Sequence, residues 1–313
     1  NADTAARICG EELPDIKVIR IKAKEGLALP AADSSAVLFS PRPEHDALLI
    51  YTSGTTGRPK GVIHSHASLL AGGANTAAAH HLTPEDRALC VLPLCHINGQ
   101  VVTVMGPLLS GSSVVMPSRF RVSMFWDWVS VHRCTWFSAV PTIISYLLGA
   151  QEAGSNPEKN ILAHVRFGRS ASAALPPAVH TAFVERFGIP LVETMGITET
   201  AAPILSNPLN PKAHRIGSPG KSCGNEVRIA DERSTDLESG SEGEIQIRGH
   251  NVMKGYLKDP EKTREAFTRD GWYRTGDLGQ MDQDGYVFVT GRIKELIIKG
   301  GANIAPRETD AVL

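Results

Sequence analysis

Residues 51–62 read YTSGTTGRPKGV: six consecutive small or hydroxyl-bearing residues follow an apolar run and are closed by a lysine. Gly54 and Gly57 permit positive φ and close backbone approach, so successive N–H groups can form an anion nest. Ser53, Thr55 and Thr56 add hydroxyl donors beside Thr52, and Lys60 supplies a fixed positive charge. This is the chemistry of a phosphate-binding loop. It is not the loop of P-loop kinases and GTPases, which has four residues between its glycines and then Gly-Lys-Ser/Thr. Here two residues separate Gly54 from Gly57, and Lys60 follows Pro59. Further on, Thr198 and Glu199 stand in ETMGITET, Asp277 in YRTGDLG, and Arg292 with Lys294 in GRIKELI. Taken singly, each has a plainer reading: a flexible Ser/Gly/Thr connector, a solvated turn, a Thr-Gly-Asp turn, a solvated strand edge. Their meaning depends on whether one fold brings them together.

Between residues 47 and 194, short apolar runs alternate with longer helical segments, the pattern of a parallel sheet covered by crossover helices. The runs are 47–51, 88–92, 113–116, 135–139, 165–167 and 190–193, the first read as a buried strand leading into the phosphate loop. Helices are expected over 67–79, 100–109, 123–132, 142–148 and 177–187, with the paired Gly72 and Gly73 weakening the first. After about 207 the texture turns to Pro, Gly and Lys, then to alternating stretches such as 226–229 and 244–248, which predict a small antiparallel sheet or barrel. The fold class is α/β: a parallel sheet flanked by helices, with an appended antiparallel β-barrel subdomain. A third unit begins near Arg292.

With 42% hydrophobic and 21% charged residues over 313 positions, the chain has the composition of an ordinary globular protein with apolar mass for a large core. A formal net charge of -1 gives no electrostatic reason to expect a nucleic-acid or acidic-membrane partner, so anion binding must be local. Five cysteines without a C-x-x-C pair point to neither a disulfide framework nor a zinc knuckle, and fit a reducing, cytoplasmic compartment. No stretch approaches the length of a spanning apolar helix. The first residue is not Met, and the last residues, TDAVL, stop inside an amphipathic pattern, so the chain reads as a fragment at both ends.

YTSGTTGRPKG closely resembles the signature loop of the adenylate-forming superfamily, which includes acyl-CoA synthetases, peptide-synthetase adenylation domains and firefly luciferase. Later strings resemble that family's further motifs in order, from about residue 47 to 313. LPLCHING (92–99) resembles the segment that sets a His beside the acyl pocket, which implies His96 as its wall or gate. GRSASAAL (168–175) resembles the small-residue face of the adenine slot and floor of the acyl pocket, implying Ser172 and Ala173 for the nucleotide and Ser170 for the acid. ETMGITET (193–200) resembles a motif whose Thr contacts the α-phosphate and whose Glu binds magnesium. Thr198 and Glu199 inherit those roles, with Glu193, Thr194, Met195 and Gly196 lining the same site. Mg²⁺ is suited by one or two carboxylates plus phosphate oxygens. Met195 stands where the family has a tyrosine that stacks on adenine; it can cover a ring, more loosely. GEIQIRGHNVMKGY (243–256) resembles the next motif, and YRTGDLG (273–279) the one whose aspartate, here Asp277, holds the ribose hydroxyls. GRIKELIIKGGANIAPRE (291–308) resembles the hinge into a rotating lid, with Arg292 on ribose or phosphate and Lys294 at the hinge.

The resemblance implies three units: 1–206, an α/β ATP- and acyl-binding subdomain incomplete at its start; 207–291, a β-rich subdomain completing the nucleotide site; and 292–313, the hinge and start of a lid. It implies catalysis by Lys60, Thr198 and Glu199, use of ATP, Mg²⁺ and coenzyme A, a small carboxylic acid as the other substrate, and a possible homodimer. Expected chemistry is acyl-AMP formation with release of pyrophosphate, then thioester formation. The alternatives are adenylation for a carrier protein, or nucleotide binding without catalysis. GRIKELI favours the CoA branch, and with RSASAALPP and SNPL it resembles oxalate-CoA ligases, which makes oxalate or another small acid the lead. The family's catalytic lid lysine is not within these residues, so the 313-residue chain alone is expected to be weakly active or inactive.

Overall fold

The computed structural model describes residues 40–52, 59–150, 162–295, 297–299 and 302–304. From Arg42 onward they belong to one compact unit. In chain order, the first part comprises β1 (Asp46–Thr52), β2 (Lys60–Ser65), α1 (His66–Ala79) and β3 (Arg87–Cys90). A π-helical segment (Asn98–Met105) runs into the short α2 (Gly106–Leu109), followed by β4 (Ser113–Val115), α3 (Val122–Val131), β5 (Trp136–Ala139) and α4 (Pro141–Gly149). Then come β6 (Phe167–Ser170), α5 (Pro177–Phe187), β7 (Leu191–Ile197), β8 (Ala202–Ser206) and β9 (Lys221–Ser222). The remainder is β-rich: β10 (Glu226–Ala230), β11 (Gly243–Arg248), β12 (Gly255–Tyr256), α6 (Pro260–Glu265), β13 (Tyr273–Met281), β14 (Val287–Arg292), β15 (Ile297–Lys299) and β16 (Ala302–Ile304).

Seven of these strands form the central sheet in the order β4-β3-β5-β6-β7-β8-β9. The first five are parallel, and β8 and β9 extend the sheet antiparallel. Successive strand residues point to opposite faces, and both faces here are covered by helices, which is why these strands read as continuous apolar runs. Leu89, Phe137 and Leu191 pack with Phe125, Trp126, Ile144, Leu147 and Phe183 of α3, α4 and α5. Their neighbours Ala88, Trp136 and Val192 pack on the other side with Leu69 of α1 and Val101 and Val102 of the π-helical segment. A four-stranded antiparallel sheet, β10-β11-β13-β14, has its own small core around Ile229, Ile245, Ile247 and Val287.

The run 47–51 does not join the parallel sheet. It is β1, paired antiparallel with β2 and, through β2, with β12 in a separate sheet. Nor is it a buried strand: Ile50 is enclosed, but Leu49 and Tyr51 are 42% and 61% exposed, because only one face of this small sheet is covered. The helix expected over 100–109 begins earlier, at Asn98, as a π-helix. Thr103 Oγ1 donates to the Asn98 carbonyl at 2.9 Å, a bond that widens the first turn. The run 165–167 overlaps its strand only at Phe167, from which β6 extends to Ser170 in register with β5. Gly72 does not weaken α1; it admits the helix against the chain after β7, since a Cβ there would lie 2.0 Å from the Ala201 carbonyl oxygen.

Under α1, His80 is fully buried, its Nδ1–H donating to the Thr76 carbonyl at 2.9 Å and its ring stacked on Trp136. Burial first, and then the positive charge of Arg169, draw its pKa down to about 3. The unfolded chain, near the ordinary value of 6.5, takes up this proton first. The stability that neutral His80 contributes is complete above about pH 6.5 and is lost as pH falls toward 3. Urea midpoints at roughly pH 7 and 4.5 are expected to differ less in His80→Phe than in the native chain; equal differences would exclude His80 as a source of acid sensitivity.

Candidate active site

The C-terminal ends of the parallel strands, the β1–β2 hairpin and the four-stranded sheet all border one cavity of about 1470 Å³, enough for a nucleotide and a second ligand. Thr52, Lys60, His96, Ser172, Gly196, Thr198, Glu199, Arg292 and Lys294 line it. Ser53, Gly54, Thr55, Thr56 and Gly57 lie outside the described residues.

Thr52 and Lys60 are register partners at the loop end of the hairpin, so they mark where the connection between the strands leaves and returns. Lys60 Nζ lies 4.5 Å from the centre of the Tyr256 ring, a cation–π contact that holds the ammonium at the cavity wall. The Tyr256 hydroxyl donates to Glu199 Oε1 at 3.1 Å. Burial, and next the negative charge of Glu199, push the Tyr256 and Tyr273 phenols upward, so both remain donors at any physiological pH. Glu199 belongs to the 3₁₀ turn Thr198–Thr200, which is pinned from both sides. Met253 N–H donates to the Glu199 carbonyl at 2.8 Å. Buried His64 donates from Nε2 to the Thr198 carbonyl at 2.7 Å, while its Nδ1 lies 3.1 Å from Ser68 Oγ. Burial lowers the His64 pKa, against the raising effect of the Thr198 bond, which suits a neutral ring donating from one nitrogen.

Asp277 is buried and accepts from Arg292 Nε at 2.6 Å, its register partner across β13 and β14. The turn before it is set by Glu244, whose Oε1 accepts from the Gly276 N–H at 3.1 Å and whose Oε2 accepts from Arg274 at 3.1 Å. Gly276 takes a φ of +72°, which glycine adopts without strain.

Six expected residues do not line the cavity. Ser170 is buried in β6 with no hydrogen bond to its Oγ, and its carbonyl accepts from Thr194 Oγ1 at 3.3 Å, so neither hydroxyl forms the pocket wall. Glu193 is buried with His180, whose Nδ1 lies 2.8 Å from Oε1, and the same oxygen accepts from the Gly217 N–H at 3.2 Å. Met195 packs against the core of the four-stranded sheet. Ala173 is exposed, and Asp277 stands behind Arg292. Sequence reasoning passed over Tyr256, His64, Glu244, Asn98 and Arg169. Four of them sit inside the motif strings, but their partners are far away in sequence.

The family profile described as AMP-binding enzyme matches residues 5–257. The chain belongs to this family. Among curated members, the sulfoacetate–CoA ligase of Cupriavidus necator is 53% identical over 310 residues, covering 99% of this chain and 60% of that protein. The oxalate–CoA ligase of Arabidopsis thaliana is 40% identical over 301 residues, covering 94% of this chain and 58% of that protein. ATP-bound MatB from Rhodopseudomonas palustris superposes with a TM-score of 0.81 at 33% identity, over 90% of this chain and 55% of that one. MenE of Bacillus subtilis with ATP and magnesium ion gives 0.80 at 32% identity, over 90% and 57%. The chain thus spans less than two thirds of the length of these relatives. No described helix is long and apolar enough to cross a membrane. Among the described residues no group of three or more His, Cys, Asp or Glu could hold a metal ion. Glu199 offers a single carboxylate at the cavity wall, and Mg²⁺ characteristically takes one or two carboxylates with phosphate oxygens and water as its other ligands.

Proposed function

We propose that the protein containing this chain joins a carboxylic acid to coenzyme A in two steps, adenylation with release of pyrophosphate and then thioester formation, and that the acid is small, as in the sulfoacetate and oxalate ligases. The observation that carries this reading is the meeting of Lys60, Thr198, Glu199 and Arg292, from separate sheets and turns, around one cavity. A carboxylate is a poor acylating agent because its leaving group would be oxide. Attack of its oxygen on the α-phosphorus of ATP converts it to a mixed anhydride from which AMP departs. Such chemistry depends on in-line positioning and neutralisation of charge. Lys60, fixed over Tyr256, would meet the departing pyrophosphate with the loop 53–57. Thr198, steadied through its carbonyl by His64, would donate to the α-phosphate. Glu199 would hold Mg²⁺, which when bound neutralises phosphate charge. Asp277, next to cavity-lining Gly276 and covered in this structure by Arg292, would accept from the ribose hydroxyls once the half-exposed Arg292 side chain turns aside. His96 would stand at the acyl end, and Lys294 at a hinge.

The test is acid-dependent ATP–pyrophosphate exchange by the full-length protein across oxalate, sulfoacetate, short-chain, medium-chain and aromatic acids, followed by addition of CoA. Exchange with one class, discharged to thioester by CoA, is expected; absence of exchange with every acid sinks the reading. Asp277→Ala is expected to weaken AMP binding about ten- to a hundredfold, the worth of hydrogen bonds to a charged group. The melting temperature should change little, since the Arg292 side chain left behind is 49% exposed and stays solvated. Unchanged AMP affinity by calorimetry removes the ribose assignment.

A further inference from the structure

Arg169 is 1% exposed, near the end of β6. Its Nη1 donates to Asn98 Oδ1 at 2.8 Å and to Ser138 Oγ at 3.0 Å, and its Nε has no partner. No carboxylate pairs with it among the described residues. The ionisable acid that acts on it is the Cys223 thiol, which burial pushes up to about 12, so it is neutral. Burial draws the guanidinium itself down only to about 10, leaving it charged at neutral pH. A charge removed from water without a counter-ion is strongly unfavourable, and a bridge between an amide and a hydroxyl does not require one.

Its position indicates where the missing anion belongs. Arg169, Ser138 and Asn98 lie at the C-terminal ends of adjacent parallel strands or just beyond, where ligands of such sheets bind. Asn98 separates Arg169 from the cavity and lines it. Because Asn98 Oδ1 accepts from both Arg169 and Ser138, the amide is locked with Nδ2 as its remaining donor. That Nδ2 donates to Ser172 Oγ at 3.3 Å, and Ser172 also lines the cavity. Ser172 holds a φ of +73°, a backbone position that non-glycine residues rarely keep. Val91, Ile97, Val140 and Ile143 line the same cavity, together with the cationic side chain of Arg119.

We infer that the Arg169–Asn98–Ser172 relay is the counter-charge for a second anionic group on the acid substrate, a carboxylate or sulfonate besides the carboxyl that is activated. This rests on the proposed ligase function. Asn98 and Ser172 supply the contacts, and Arg169 is a positioning residue that orients and polarises Asn98.

The experiment uses the full-length protein and compares kcat/KM in ATP–pyrophosphate exchange for oxalate and sulfoacetate with that for acetate and propionate. Two variants accompany it. Arg169→Gln removes the charge, and Asn98→Asp supplies an internal carboxylate to Arg169, so this second variant satisfies the buried charge and is expected to fold. The native protein is expected to favour the dianionic acids about a hundredfold, and both variants to lose most of that preference, chiefly through KM. A preference of the native protein for monoanionic acids overturns the inference while leaving the ligase reading intact. So does a variant effect of equal size on both classes of acid. Absence of exchange with any acid overturns both.

Discussion

Glu199→Gln in the full-length protein is expected to lower ATP–pyrophosphate exchange by about a hundred- to a thousandfold, the scale for losing one preorganised electrostatic contact to a developing charge. Glutamine has the same shape and can still accept the Tyr256 hydroxyl bond now made to Oε1 at 3.1 Å. The turn Thr198–Thr200 stays pinned through backbone groups, by Met253 and by His64. The substitution therefore removes charge and little else. Exchange should recover in part at high magnesium, because a single carboxylate shares the ion with phosphate oxygens. Measured thermal stability should be native-like. Full activity at ordinary magnesium would show that Glu199 is not a metal residue.

Gly72→Ala is expected to destabilise the fold by about 1–3 kcal/mol, the range for overpacking an interior without room to relax. The added Cβ would lie 2.0 Å from the Ala201 carbonyl oxygen, which is backbone and cannot rotate away. Ala201 follows directly on the turn that carries Thr198 and Glu199 and itself holds a φ of +49°. Pressure from the helix is thereby transmitted to the site, and nucleotide binding should weaken together with the urea midpoint. Gly149→Ala is the matched control, because an added Cβ there meets nothing within 4 Å. A Gly72→Ala protein with a native midpoint would mean that α1 can move outward freely.

The parts legible in the sequence are those fixed by local rules. The helix at Pro177–Phe187 starts with proline at its first position and ends on Gly188 in the left-handed region, and its limits are read directly from those two residues. The runs 88–92 and 135–139 contain β3 (Arg87–Cys90) and β5 (Trp136–Ala139), whose residues 88–90 and 136–139 are buried on both faces. Residues 47–51 are no less apolar, yet they form half of a hairpin with one covered face; the difference lies in the partner, β2, not in the run. The same limit applies to the site. Lys60, Thr198 and Glu199 are recognisable in their motifs. Arg169 is just one letter in RSASAAL: its significance comes from Asn98, 71 residues earlier, and from the lack of a carboxylate partner among the described residues. Glu193 shows the reverse case, a motif residue whose carboxylate is occupied by His180 and the Gly217 N–H rather than turned to the cavity.

The pairing of β2 with β12 also sets a schedule. β2 is the middle strand of its sheet, bonded to β1 on one side and to Gly255 and Tyr256 on the other. During synthesis the hairpin that carries Lys60 therefore waits for roughly two hundred further residues before its second edge is closed, a contact of high sequence separation and correspondingly slow to form. Until then it presents an unpaired edge, the kind of surface on which nascent chains associate wrongly. The last strand of this small sheet to arrive also brings Tyr256, so the Lys60–Tyr256 contact forms late, after every strand of the central sheet has been synthesised.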